Sequence, residues 1–139
     1  MKMLHKIKVN VILIITINIV LWGSATGQTN TWTGATNLNW NTNTNWSLNL
    51  VPLAAHDVVI NTNAAITLSA NGVAGTLTIA NNSIVSYAPS GGAVTLTLNA
   101  AGTTLDIQAG SALTINGRNA PGNNRMSLHF ATGAGKTGT

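Results

Sequence analysis

The chain of 139 residues has no cysteine and no glutamate, and only 6% of its residues are charged. A soluble domain ordinarily carries about 25% Asp, Glu, Lys and Arg. Each shortage excludes something. Without cysteine there is neither a disulfide framework nor a site for a lipid anchor behind a leader. With Asp57 and Asp106 as the only carboxylates, an all-carboxylate calcium cage is excluded. A small core without disulfides or metal must be stabilised by repetition or by association with more chain.

The net charge of +4 at first suggests a nucleic-acid or acidic-membrane partner. Its distribution removes that reading. Lys2, Lys6 and Lys8 lie in the first eight residues, and from residue 28 onward Arg118, Arg125 and Lys136 face two aspartates, leaving +1. No nucleic-acid partner is expected.

The basic start is followed by an apolar stretch from Val9 to Trp22, then by Ala25-Thr26-Gly27. That order is the pattern of a secretory signal, with cleavage expected before Gln28. Fourteen residues make roughly 21 Å of helix, too short for the roughly 30 Å hydrocarbon core. The expectation is a signal peptide over 1–27, use of the secretion machinery, and no stable membrane span after cleavage.

Residues 28–63 are rich in Trp, Asn and Thr, with Trp32, Trp40 and Trp46 at spacings that place them on one face of an extended chain. The intervening asparagines disfavour one continuous strand. Short strands and turns with the indoles packed beneath are expected, then a break at Pro52 and a strand at Asp57–Ile60.

From residue 64 the pattern changes to short alternating runs: Ile66-Thr67-Leu68, Leu77-Thr78-Ile79, Ile84-Val85-Ser86-Tyr87, Leu96-Thr97-Leu98, Leu105-Asp106-Ile107 and Leu113-Thr114-Ile115. Alternation rich in β-branched residues predicts strands with one buried face. Turn signals such as Asn71-Gly72, Asn81-Asn82 and Ala109-Gly110 separate them. The chain is read as all-β. Aligning Leu77, Leu96 and Leu113 gives a quasi-repeat of 19 and 17 residues, which suits a solenoid of two short strands per coil with outer Thr and Asn ladders. A β-sandwich of hairpins is the alternative. Arg118–Asn124 reads as loop and Arg125–Ala131 as one more strand.

These residues resemble a known group. Trp32-Thr33-Gly34, Asn39-Trp40-Asn41, Asn45-Trp46-Ser47, Val51-Pro52 and Asp57-Val58-Val59-Ile60, running into Leu113-Thr114-Ile115-Asn116-Gly117, are similar to the opening of secreted surface proteins of Bacteroidetes. The resemblance implies an adhesin-like, autotransporter-like right-handed parallel β-helix, often exported by a type IX system with a C-terminal sorting domain. No such domain precedes Thr139. The expected organisation is a signal peptide (1–27), a Trp-rich capping segment (28–63) and β-solenoid repeats (64–139) that read as a truncated opening of a longer protein. An open last coil would be an edge prone to association.

Chemistry-bearing motifs are few. Gly133-Ala134-Gly135-Lys136-Thr137 imitates a phosphate loop, but Phe130 stands where its first glycine belongs and the chain ends too soon for the required helix. His56 and Asp57, adjacent on a strand, point to opposite faces. Asp57 with Asp106 is the only possible glycosidase pair. Asp57 reads instead as a strand-start residue, and Asp106 as a solvated position between inward Leu105 and Ile107. His5, His56 and His129 lack ligand spacing. No catalytic, cofactor or metal residue is assigned. Trp32, Trp40 and Trp46 have two readings, a cap over the first coil and a glycan-stacking platform. Asn45-Trp46-Ser47 and Asn81-Asn82-Ser83 are formal glycosylation sequons, read as idle.

The expected function is an exported, cell-surface or extracellular structural segment that displays Thr/Asn-rich faces to glycans or surface proteins. The alternative is a carbohydrate-binding module, or the N-terminal part of a polysaccharide-active enzyme whose catalytic residues lie elsewhere.

Overall fold

Alternating apolar and small polar residues produce short strands throughout the described residues. The structure, a computed structural model, describes residues 27–117, 125–131 and 136–137. Residues 1–26 of the expected signal peptide, the 118–124 segment and Gly133–Gly135 of the phosphate-loop imitation lie outside the described residues. The strands are β1 (Gln28–Thr31), β2 (His56–Ile60), β3 (Ala64–Leu68), β4 (Gly72–Ala74), β5 (Thr76–Ile79) and β6 (Ile84–Pro89). They continue as β7 (Val94–Leu98), β8 (Gly102–Thr103), β9 (Leu105–Ile107), β10 (Ala112–Ile115), β11 (Met126–Phe130) and β12 (Lys136–Thr137). One 3-10 turn spans Asn43–Asn45. The expectation of an all-β chain holds. No helix among the described residues is long and apolar enough to cross a membrane.

Every pairing between these strands is parallel. The sheets run β1-β2-β5-β9, β3-β6-β10, β4-β7-β11 and β8-β12. From β2 onward the chain visits the first three sheets in turn, returns to the first, and repeats the circuit. A sandwich of hairpins requires antiparallel neighbours. The only antiparallel contact among the described residues is the bridge between Trp32 and Trp46, so the sandwich alternative is set aside.

Register builds the core. Val58, Leu77 and Leu105 form one column, and Ile60, Ile79 and Ile107 the next. Ile66, Tyr87 and Ile115 form a third in the second sheet. Gly72, Leu96 and Leu128, with Ala74, Leu98 and Phe130, supply the third sheet. The burial pattern of β2, β5 and β7 alternates residue by residue. That alternation is the period-two signature of a strand with one wet face.

The quasi-repeat is corrected here. Leu77, Leu96 and Leu113 belong to β5, β7 and β10, three different sheets. Leu77 instead stands beside Leu105, 28 residues on, while Asp57 stands beside Thr76 at an interval of 19. Each circuit contains three main strands rather than two, so look-alike Leu-Thr-Ile triplets fall on different sides.

Turns match their sequence signals. Asn81 and Asn82 both adopt positive φ, 60° and 55°, a conformation asparagine tolerates better than most residues. Residues 125–131 contain β11, as expected, and Lys136 and Thr137 pair with Gly102 and Thr103 rather than flank a phosphate.

Candidate functional site

The three sequence-selected tryptophans are brought together. Trp46 lies between the other two, edge-on to Trp32 at 5.0 Å and to Trp40 at 4.6 Å between centroids. Trp40 also meets Tyr87 at 5.8 Å. The chain is steered into this arrangement by backbone bonds: Trp32 N–H donates to the Val59 carbonyl at 2.9 Å, Trp40 N–H to Thr67 at 2.8 Å, and Thr33 N–H to Asn45 at 2.8 Å. All three indoles are buried, Trp40 completely. Stacking on a sugar needs an open ring face, and none of the three offers one. The expected glycan contact at Trp32, Trp40 and Trp46 is therefore replaced by packing: the rings cover one another and the adjoining core.

Asparagines are the glue of the same segment. Asn45 is fully buried. Its Oδ1 accepts the N–H groups of Thr36 at 3.0 Å and Asn37 at 3.1 Å. Its Nδ2 donates to Asn37 Oδ1 and to the Asn39 carbonyl, both at 2.8 Å. Asn41 Oδ1 accepts from Ser69 N and Ala70 N at 3.1 Å. Further along, Asn63 Oδ1 accepts from Ile84 N at 2.7 Å and Asn71 Oδ1 from Thr95 N at 2.9 Å. The expected ladders of stacked asparagine amides are not how these side chains are satisfied. They bond backbone N–H groups of neighbouring segments: Thr36 and Asn37 in the Trp segment, Ser69 and Ala70 just past β3, and Ile84 and Thr95 near the starts of β6 and β7. Sequence reading missed Asn45 because one Asn among many carries no mark of its burial.

The open chemistry lies on the outer face of the first sheet. One furrow of about 730 Å³ is lined by Gly27, Gln28, Ala54, Ala55, His56, Asp57, Gly75, Thr76, Ala100 and Ala101. A second, of about 400 Å³, is lined by Asp57, Thr76, Leu77, Thr78, Thr103, Thr104 and Asp106. They share Asp57 and Thr76, so both carboxylates of the sequence line one continuous surface. Thr76 Oγ1 donates to Asp57 Oδ1 at 2.9 Å, and Gln108 Nε2 to Asp106 Oδ2 at 3.3 Å. Threonine hydroxyls and carboxylates suit a hydroxyl-bearing ligand, but no Trp, Tyr or Phe ring lines either furrow.

The two acids lie on β2 and β9, with β5 between them. Asp57 stands beside Thr76 and Asp106 beside Thr78. Two strand spacings and two residues of offset put their Cα atoms roughly 12 Å apart. His56 turns the other way, as alternation requires: it is buried, and its Nδ1 accepts the Leu53 N–H at 3.2 Å. His129 lies exposed on β11, remote in sheet order from both aspartates. No family model matches the chain, and comparison with curated proteins and with solved structures returned no match.

Proposed function

We propose that the chain is an exported, adhesin-like structural segment of the cell surface or extracellular space. In this reading it is a right-handed parallel β-solenoid with three main strands per coil, capped at its N-terminal end by the Trp/Asn segment 28–63. The carrying observation is the repeated circuit of parallel pairings with apolar columns inside and Thr, Ser, Asn and Asp outside. Right-handedness follows the general rule for parallel crossovers. Display is the role such a shape performs: a stiff, nearly uncharged surface offers rows of hydroxyl and amide groups to glycans or to surface proteins. The signal pattern of residues 1–27 and the similarity to Bacteroidetes surface proteins support the location.

The test has two readouts. The chain expressed with its own leader in a Gram-negative host should leave the cytoplasm with Gln28 at or next to its N-terminus. Beads coated with the recovered chain should adhere to glycan arrays or to cells. Retention of the leader in the cytoplasm, or beads that bind neither surface, overturns the proposal.

The second reading, a carbohydrate-binding module or the opening of a polysaccharide-active enzyme, is favoured by one observation only, the furrow holding Asp57 and Asp106. Loss of array binding in Asp57→Asn and Asp106→Asn, with adhesion to cells abolished in parallel, would favour it over display by the outer faces at large.

A further inference from the structure

The head of β1 lies in the larger furrow. Gly27 and Gln28 line it together with Ala55, Asp57 and Thr76, and the peptide bond between Gly27 and Gln28 is the one at which leader removal is expected. That bond therefore stands beside a carboxylate. Thr29 is the register partner of Asp57, and neighbouring strands are about 4.8 Å apart, so the backbone nitrogen of Gln28 is within reach of the Asp57 side chain.

Gly27 is closely fitted. A Cβ built on it would overlap the Ala55 carbonyl oxygen and stand 3.0 Å from both Cγ and Oδ1 of Asp57. Alanine would serve equally well as the small residue ahead of a cleavage site, yet it has no room in the folded chain. The uncut chain thus passes Asp57 as bare glycine backbone, and cutting it vacates that place.

Asp57 lacks a cation. Among the described residues its carboxylate has one hydrogen bond, from the Thr76 hydroxyl at 2.9 Å, and no lysine or arginine lines either furrow. His56, the other titratable group of the larger furrow, is buried, and its Nδ1 accepts the Leu53 N–H.

We propose that Asp57 receives the amino group that cleavage creates on Gln28, so that the processed terminus becomes its ion partner and fastens the head of β1 to β2. The proposal rests on the export reading given above. Hydrolysis adds water across the bond: the oxygen stays on Gly27 as a carboxylate and departs with the leader, and both protons end on the Gln28 nitrogen as ammonium. The carboxylate favours that charged form. The pairing also preserves the terminus. A free N-terminal glutamine cyclises when its unprotonated amine attacks its own Cδ and expels ammonia, and an ion-paired ammonium has no lone pair for that step.

The chain is expressed with its own leader, recovered after export, and its terminal peptide identified by mass. The reaction of the Gln28 amine with a limiting amine-selective reagent is then followed at neutral pH in wild type, Asp57→Asn and Asp106→Asn, with far-UV circular dichroism on the same samples. The wild-type terminus should be uncyclised Gln28 and react about three-fold more slowly than that of Asp57→Asn, with Asp106→Asn like wild type. Molar salt, which screens the pair, should raise the wild-type rate toward that of Asp57→Asn. This salt response decides the matter should Asp57→Asn fail to fold. A Gln28 amine equally reactive in wild type and folded Asp57→Asn, unaffected by salt, or already cyclised overturns the ion pair and leaves the export reading standing. A chain cut at another bond also overturns the ion pair alone. One that keeps its leader in the cytoplasm overturns the export reading with it.

Discussion

Trp46 donates its indole N–H to the main-chain carbonyl of Trp40 at 2.8 Å while its ring meets the Trp40 ring edge-on at 4.6 Å. One side chain thus fixes both the backbone and the ring of another six residues away. The relationship makes the Trp segment a folded unit rather than a display surface. Trp40→Ala removes a fully buried ring and should cost about 3–5 kcal/mol. Denaturant melts of the exported chain measure it. Unchanged melting together with lost ligand binding would return Trp40 to the role of a glycan contact.

Asn45 uses both ends of its amide, accepting two backbone N–H groups and donating twice. Asn45→Asp keeps the shape and the acceptors but replaces the donating end with oxygen, which then faces Asn37 Oδ1 and the Asn39 carbonyl. The loss should be about 2–4 kcal/mol, larger than a simple deleted hydrogen bond, because a buried charge is left among acceptors. Equal stability of Asn45→Asp and wild type at neutral pH would show that this network does not hold the segment.

Tyr87 is the only tyrosine of the chain, and its hydroxyl is buried without a hydrogen-bond partner among the described residues. Tyr87→Phe should be neutral or stabilising by about 1 kcal/mol, since it deletes a desolvated polar group and keeps the ring against Trp40. Burial also holds the phenol well above its ordinary pKa of 10.0. The sign is then fixed: below the unfolded pKa the contribution to stability is complete, and it is lost as pH rises above that value. Tyrosinate absorbance should therefore appear only together with loss of the β signal. A reversible phenol titration near pH 10 in the folded chain would contradict the burial.

Val59 and Thr78 are register partners on the wet faces of β2 and β5. Val59→Cys with Thr78→Cys should oxidise to an intramolecular disulfide, because neighbouring strands bring Cα atoms to about 4.8 Å, within the disulfide range. Thr78→Cys with Thr97→Cys, the pair that the Leu77–Leu96 alignment would stack, should not, since Thr97 lies on β7 of another sheet. Mass shifts after alkylation distinguish the two pairs. The opposite pattern would restore the register drawn from the sequence repeat.

Alternation was legible wherever a strand carries two or more large inward residues, as at Asp57–Ile60, Leu77–Ile79 and Leu96–Leu98. It was silent at β4, where Gly72, Val73 and Ala74 bury little, and at the two-residue β8. Register was misread for a physical reason. A Leu-Thr-Ile triplet states that alternate residues face inward, but says nothing about which sheet receives them. That choice depends on how many strands the chain makes before it returns, and the short strands that complete the circuit are the least visible. The Trp segment was legible as packed turns, yet the burial of Asn45 was not, because its four hydrogen bonds converge from residues 36, 37 and 39 only after the turn has closed.

From β2 onward the interval between register partners lengthens, from 19 residues at Asp57–Thr76 to 24 at Gly72–Leu96, 28 at Leu77–Leu105 and 32 at Val94–Met126. Strand pairing survives each increase, so the added residues are absorbed at the corners. At one such corner Gly91 and Gly92 have nothing within 4 Å of where a Cβ would stand. The molecule is thereby rigid across its strands and permissive along its contour. A foreign peptide spliced between Gly91 and Gly92 would be carried outward on a fixed scaffold, which makes that corner a natural port for grafting a new recognition sequence.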